Sequence, residues 1–445
     1  MKQLPTTLAS GVGYAASRLL QISIVCLALG LLIVASIPPL VAQPSAGSTS
    51  NSQASAGEKR FPRVVGPDQV DSQLETDKEI KPLYSSELLK PYFDFKGRVK
   101  EKIGLSFAVD YSAMYLSANG ELEENRAGSG MVRFYGAWDL VGRGTGHSGA
   151  VVYKVENRHA YTPIPPGSFS LESGYIGLIE PPFSDQRWRL TNLYWRQSLG
   201  GGRVSFVAGW VDPTDYVDVF ALASPWLHFS NFAFSTGGAS IPVPNEGLGV
   251  GGAAYLSDNL YVVGGFADSN SNPQKPGDGF DTFFNMHEYF KHFEIGWTTS
   301  RDRNFLDNVH VTVWQADERK AALTPSGWGA NFSFTHYVRN KWLPFVRAGY
   351  AKDGGSLLER TVSTGIGYQR VPEGSLLGVG FNWGRPNKTT FQPGLRDQQA
   401  VEVFYRIQLS QEFALTPSLQ WLNNPALAPE RESTWVFGLR ARLAL

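Results

Sequence analysis

Charged side chains recur at every second position in several stretches of this chain, and they are the residues with chemistry to offer. Arg133 shares its parity with Tyr135 and Asp139 in MVRFYGAWDL; Lys154, Glu156 and Arg158 alternate through AVVYKVENR; Arg196 belongs to a similar run. Guanidinium forks and carboxylates alternating on one face can pair with each other or hydrogen-bond a polar molecule that passes them. A second set lies at 213–246, where Asp215, Tyr216, Trp226, His228, Asn231 and Phe232 combine aromatic faces with short polar groups, and Asp212 stands just before it. Such residues can stack on the apolar side of a ring and fix hydroxyls, which is binding rather than bond-breaking chemistry.

Motifs for catalysis and for cofactors are weak. GLGVGG at Gly247–Gly252 fits a dinucleotide-binding spacing, but a hairpin strand is expected after it rather than a helix. GRGTGHSG lacks the Lys-Ser/Thr end of a phosphate loop, and His287, Glu288 and His292 in HEYFKH miss the spacing that sets two histidines on one helical face for zinc. GxSxG does not occur. The expectation is no cofactor and no metal, with an enzyme whose Ser and His are scattered over several strands as the alternative. Charge balance, with 40 basic and 40 acidic residues, speaks against a nucleic-acid partner.

The elements that position these residues read as strands. In IGLSFAVDYSAMYLS, Leu105, Phe107, Val109, Tyr111 and Tyr115 oppose Ser106, Asp110 and Ser112, so one face is apolar and the other polar. The chain ends in the same way: Trp435, Phe437, Leu439, Ala441, Leu443 and Leu445 alternate with Gly438, Arg440 and Arg442. Sixteen such segments are expected, the first at 103–117 and the last at 433–445. Short turns such as LGGG, SDN, RNKW and PEG alternate with longer connections, among them 160–186 and 213–246. With 47 glycines, 13% aromatic residues and only 18% charged residues, the composition suits an all-β chain with many turns. An even strand count, with tight turns on one rim and long loops on the other, predicts a transmembrane antiparallel β-barrel in an outer membrane, because hydrocarbon offers backbone groups no partner and only a closed sheet or a helix can span it. A soluble β-sandwich or propeller would alternate too, but would bury the Trp, Tyr and Phe face.

Residues 1–102, ahead of the barrel, divide in two. Residues 1–42 carry Lys2 and Arg18, then the apolar run Leu19–Ile37, then PPLVA, and read as an export signal cut after Ala42, with a retained anchor as the other reading. The lone cysteine, Cys26, falls inside it. Residues 43–102 are expected to be a flexible linker and short periplasmic segment, with a short helix near 93–102; this stretch serves as a spacer, a small lumen plug or a solvated tail. The barrel is assigned to 103–445.

Three segments bear a family likeness: FVAGWVDPTDYVDVFALASPWLHFSNFAF (206–234), PSLQWLNNPALAPE (417–430) and TWVFGLRARLAL (434–445). They resemble the strand-to-constriction segment, the Asn-Pro turn and the closing strand of the carbohydrate-selective porins of the OprB type, a likeness that runs from about Phe93 to Leu445. Two positions depart from that pattern: the chain ends on Leu445 rather than on an aromatic residue, and Trp210 precedes the Asp-Pro turn where a basic residue is common. The resemblance implies a sixteen-stranded barrel that passes sugars by diffusion, with loops folded inward. Its partners would be outer-membrane lipid, small carbohydrate solutes and the barrel-insertion machinery, which reads the C-terminal strand; a homotrimer is the assembly it suggests. Parity also turns Glu294, Arg347, Glu402, Arg406, Arg440 and Arg442 inward, giving a lumen wall of both signs that suits a neutral polyol. A porin for other small solutes is the runner-up.

Overall fold

The computed structural model describes residues 69–70, 72–73, 89–120, 122–370 and 374–445. The expected export signal, and all of 43–88 but those four residues, lie outside them. Sixteen strands follow one another: Leu105–Ala118 (β1), Arg126–Val141 (β2), Ser148–Ala160 (β3), Arg187–Leu199 (β4), Val204–Val211 (β5), Gly247–Tyr255 (β6), Leu260–Asp268 (β7) and Tyr289–Thr298 (β8). The second half adds Asn308–Ala316 (β9), Gly327–Thr335 (β10), Trp342–Asp353 (β11), Leu358–Arg370 (β12), Ser375–Pro386 (β13), Gln398–Gln408 (β14), Phe413–Asn423 (β15) and Ser433–Ala444 (β16). Each pairs antiparallel with its neighbours, and β1 pairs with β16, so the sheet closes into a barrel. The expected count and order are those observed. β2 starts earlier than the pattern suggests, because its ladder with β1 continues to Ser117↔Arg126.

Closure extends to the last residue. Leu445 N donates to Val109 O at 2.7 Å, and Val109 N donates to Leu445 O at 3.0 Å. A closed sheet has no free edge. The terminal strand therefore serves as the seam, and its alternation sorts the two faces: Trp435 is 46% exposed while Arg440 is 2% exposed. The same sorting runs round the barrel, with Tyr111, Phe134, Trp138, Phe293, Trp297, Trp328 and Phe437 all outward and exposed. A continuous apolar exterior of this kind is what lipid requires and water penalises. The soluble sandwich or propeller falls on this observation, since both would turn these rows inward.

A helix, α1 (Lys90–Ile103), precedes β1 and is a few residues longer than expected. Proline at its first turn and lysines at its last suit the helix ends, and Gly104, at φ 80°, caps it by donating its N–H to Lys100 O. Trp138 Nε1 donates to Ile103 O at 3.1 Å, which holds the helix end to the short-turn rim. Among the described residues no helix is long and apolar enough to cross a membrane. GLGVGG lies on β6, paired with β5 and β7, as a strand rather than the turn of a nucleotide site.

Candidate functional site in the constricted lumen

The 212–246 connection folds into the barrel and fastens to one side of its wall. Phe220, Leu222, Phe229 and Phe234 from this loop cluster with Leu343, Phe345, Leu376 and Phe404 from β11, β13 and β14. Ring centroids are 4.8 Å apart for Phe229–Phe404 and 5.3 Å for Phe220–Phe345. Gly380 on β13 makes this approach possible, because a Cβ there would lie 2.8 Å from the Phe234 ring.

A buried polar cluster reinforces the contact. Asp218, at φ 52°, accepts hydrogen bonds from Arg347, from Asn331 Nδ2 at 3.3 Å and from the Gly237 N–H at 3.1 Å, and its carboxylate lies 3.0 Å from His310 Nε2. Aspartate tolerates the left-handed region better than most residues. Burial alone would raise the Asp218 carboxyl, but the Arg347 charge and the bonds from His310 and Asn331 hold it below its ordinary value. Glu294 accepts from the Asp218 N–H at 3.1 Å, so three wall strands besides β11, namely β8, β9 and β10, share the load.

A second anchor joins this loop to the 161–186 connection. Arg440 Nη1 donates to Glu180 at 2.7 Å, Arg440 Nη2 donates to His228 O at 2.6 Å, and Ser230 Oγ donates to Glu180 at 2.7 Å. Glu402 accepts the backbone N–H groups of Ser230 and Asn231 at 2.6 and 2.9 Å.

The other side of the loop meets the charge ladder of β2–β4. Lys154 Nζ lies 3.6 Å from Asp215, and Asn192 Nδ2 donates to the same carboxylate at 3.3 Å. Glu156 pairs with Arg158 along β3 at 2.6 Å, Arg189 pairs with Glu246, and Arg133 Nε donates to Asp110 at 2.8 Å, with Arg442 on the same carboxylate at 3.0 Å. Trp226 lies over this group: the Arg133 guanidinium is 4.5 Å from its ring centroid and that of Arg158 5.8 Å. The tryptophan is a lumen residue and not part of an interfacial girdle.

The residues expected to line the path thus gather in one region but do different things. Arg133, Lys154, Glu156, Arg158, Arg196, Asp215 and Trp226 all face the lumen with little exposure. Arg196 sits nearer the short turns, 3.3 Å from Asp139. Tyr216 packs against His292 and over Gly251, whose Cβ would lie 3.0 Å from its ring. Asp212 caps the turn that opens the loop, accepting from Thr214 N–H at 3.0 Å and Thr214 Oγ1 at 2.6 Å. Asn231 is fully buried, accepting from the Ala233 N–H at 3.0 Å and donating to Gln420 at 3.2 Å, so it shapes the loop.

Sequence reasoning passed over Arg189 for an identifiable reason. Alternation places it with Leu193 and Trp195, on the lipid side. A bulge in β4, where Lys154 pairs with Asn192 and Val155 with Leu190, inserts Thr191 and switches the parity, so Arg189 points inward with Arg196. Asp218, Glu180 and Glu246 lie in loops, where no periodicity marks them.

The family profile described as "Carbohydrate-selective porin, OprB family" matches residues 142–323 and 295–445. Among solved structures, that of Pseudomonas putida OprB at high pH aligns with a TM-score of 0.61 at 13% identity, covering 80% of this chain and 97% of that one. The low-pH structure of the same protein aligns at 0.49 and 12% identity (80% and 98% covered), and a mutant of Rh. blastica porin at 0.48 and 10% (77% and 100%). No curated protein sequence matches. The profile covers well over half of the chain and the barrel closes with the expected topology, so this chain belongs to the carbohydrate-selective porins of the OprB family, outer-membrane proteins with a sugar-selective channel.

Proposed function

We propose that sugars and related polyols cross the bacterial outer membrane through this lumen by passive diffusion, sorted at the constriction where the docked loop meets the β2–β4 ladder. The observation that carries this reading is the Lys154–Asp215 contact, which joins wall to loop where both signs of charge are closely paired. Each cation in the ladder already has a carboxylate partner, so the site offers a small ion little net field. A hydroxylated neutral solute can instead exchange hydrogen bonds with guanidinium and carboxylate in turn, while Trp226 offers a face for the apolar side of a ring. The solute's own gradient drives transfer, and no side chain need form or break a bond.

Reconstitution into liposomes with sugars, amino acids and ions of matched size tests the proposal. Neutral sugars should enter faster than size alone dictates; entry ordered by size would leave a porin for small solutes in general. Catalysis lost on changing a single Ser, His or Asp, with the barrel still formed, would instead mark an enzyme. We further propose a homotrimer, to be read by native mass spectrometry in detergent, and recognition of the closing strand by the insertion machinery. If that machinery reads the final side chain, Leu445→Phe should raise the assembled yield.

A further inference from the structure

Helix α1 lies on the outside of the barrel. Ala108 and Tyr135 pair on the inward face of β1 and β2, so their neighbours Phe107 and Phe134 point the other way, toward lipid. The Phe95 ring of α1 meets the Phe107 ring edge-on, with centroids 6.4 Å apart, and Lys96 Nζ is 5.8 Å from the same ring. Gly104 makes this return possible. Its left-handed backbone turns the chain between helix and strand, and a Cβ there would lie 2.6 Å from Asp139 O.

The residues of the helix fit that position. At 3.6 residues per turn, Tyr92, Phe95, Val99 and Ile103 share one stripe. Lys96 and Lys100 border it on one side and Arg98 and Lys102 on the other, while Asp94 and Glu101 fall on the opposite face. The barrel covers only part of the stripe. No residue of α1 is buried, and Phe95 and Ile103 are 48% and 44% exposed. Trp138, whose ring nitrogen holds Ile103 O, is exposed too, as is Leu140 beyond it, so the patch continues the apolar exterior of the wall.

We propose that α1 is a surface anchor for anionic phospholipid in the leaflet at the short-turn rim. The stripe sits among the upper carbons of the acyl chains, while Lys96, Arg98, Lys100 and Lys102 reach phosphate headgroups on either side of it. Continuity with the lipid-facing wall selects lipid as the occupant, and the charge selects its sign: with Lys90, the helix carries five cations against two carboxylates. A second copy seated symmetrically on the patch would set one basic helix against another. The anchor does not depend on which solute the channel passes.

The test uses the full-length chain with Cys26→Ser, in bilayers of phosphatidylcholine with and without phosphatidylglycerol, its barrel verified by heat-modifiable gel migration. A nitroxide on Phe95→Cys should be relaxed by lipid-dissolved oxygen in preference to an aqueous nickel chelate, and one on Glu101→Cys the reverse. Phosphatidylglycerol should deepen this contrast severalfold, and either added salt or Arg98→Gln with Lys102→Gln should remove most of the gain. Two labels that both favour the nickel chelate overturn the anchor, because the helix then stands in water. A contrast that phosphatidylglycerol leaves unchanged overturns the headgroup contact. Dipolar broadening at position 95, with neither reagent reaching the label, assigns the patch to a second copy and overturns the proposal as well.

Discussion

Strands β10–β14 and strands β1–β4 line the same lumen but treat the loop between them differently. The first wall presents glycine and phenylalanine and holds the loop through an aromatic cluster and the Asp218–Arg347 pair. The second presents arginine, lysine and glutamate and meets the loop through polar contacts such as Lys154–Asp215. One wall is a foundation and the other a face of the passage. The comparison teaches that one loop can be held by different chemistry on its two sides: packed rings around the Asp218–Arg347 pair on one, and charge pairs on the other, joined there by Tyr216 on the apolar cluster of β1–β5 and by Trp226 over Arg133 and Arg158.

Four changes would break or sharpen this contrast. Asp218→Asn keeps a residue that tolerates the local backbone but leaves Arg347 buried without its counter-charge, a loss of about 3–5 kcal/mol by analogy with other broken buried pairs. Denaturant unfolding should register it, and single-channel records should become noisy as the loop loosens; a quiet channel of unchanged stability would show that the aromatic cluster suffices. Gly380→Val puts side-chain atoms where the Phe234 ring lies, at a cost of about 1–3 kcal/mol, and should widen the channel by displacing the loop.

Acidification acts on the same anchor more gently. Because the folded-state pKa of Asp218 is depressed, its stabilising contribution is complete above the ordinary carboxylate range and is lost as pH falls through the folded value. Arg347, His310 and Asn331 face the same carboxylate, while Glu294 takes the Asp218 backbone N–H and lies 3.9 Å from His310. Conductance noise should therefore grow toward low pH in the wild type and be already present at neutral pH in Asp218→Asn. The smallest effect belongs to the opposite wall: Asp215→Asn removes the carboxylate opposite Lys154 without disturbing the foundation. Both partners are buried, so some stability should be lost, but less than for Asp218→Asn because Asp212 and Glu156 also lie near Lys154, while the reversal potential in a salt gradient moves toward anions. A loss as large as that of Asp218→Asn would mean that both walls are equally structural.

Much of this was legible before any coordinates. Alternation marked every strand, and parity turned Lys154, Glu156, Arg158, Arg347 and Arg440 inward. The same reasoning missed Arg189, because one inserted residue at Thr191 reverses parity and nothing local announces it. It placed Asn231 in the constriction loop and Asp212 just before it but could not tell that their side chains cap turns there. Trp226 could have been read as an interfacial aromatic; its stacking over Arg133 and Arg158 is set by residues distant in sequence.

Taken alone, the sequence determined that the strands carry one apolar and one polar face, the β4 bulge excepted, since a period of two is a local property that backbone geometry imposes on every residue. Only the tertiary structure decided which face of the closed sheet meets lipid, which wall the loop leans on and which charges pair across the lumen. Those depend on contacts between residues far apart along the chain, brought together when the sheet closes, and no local pattern encodes the partner.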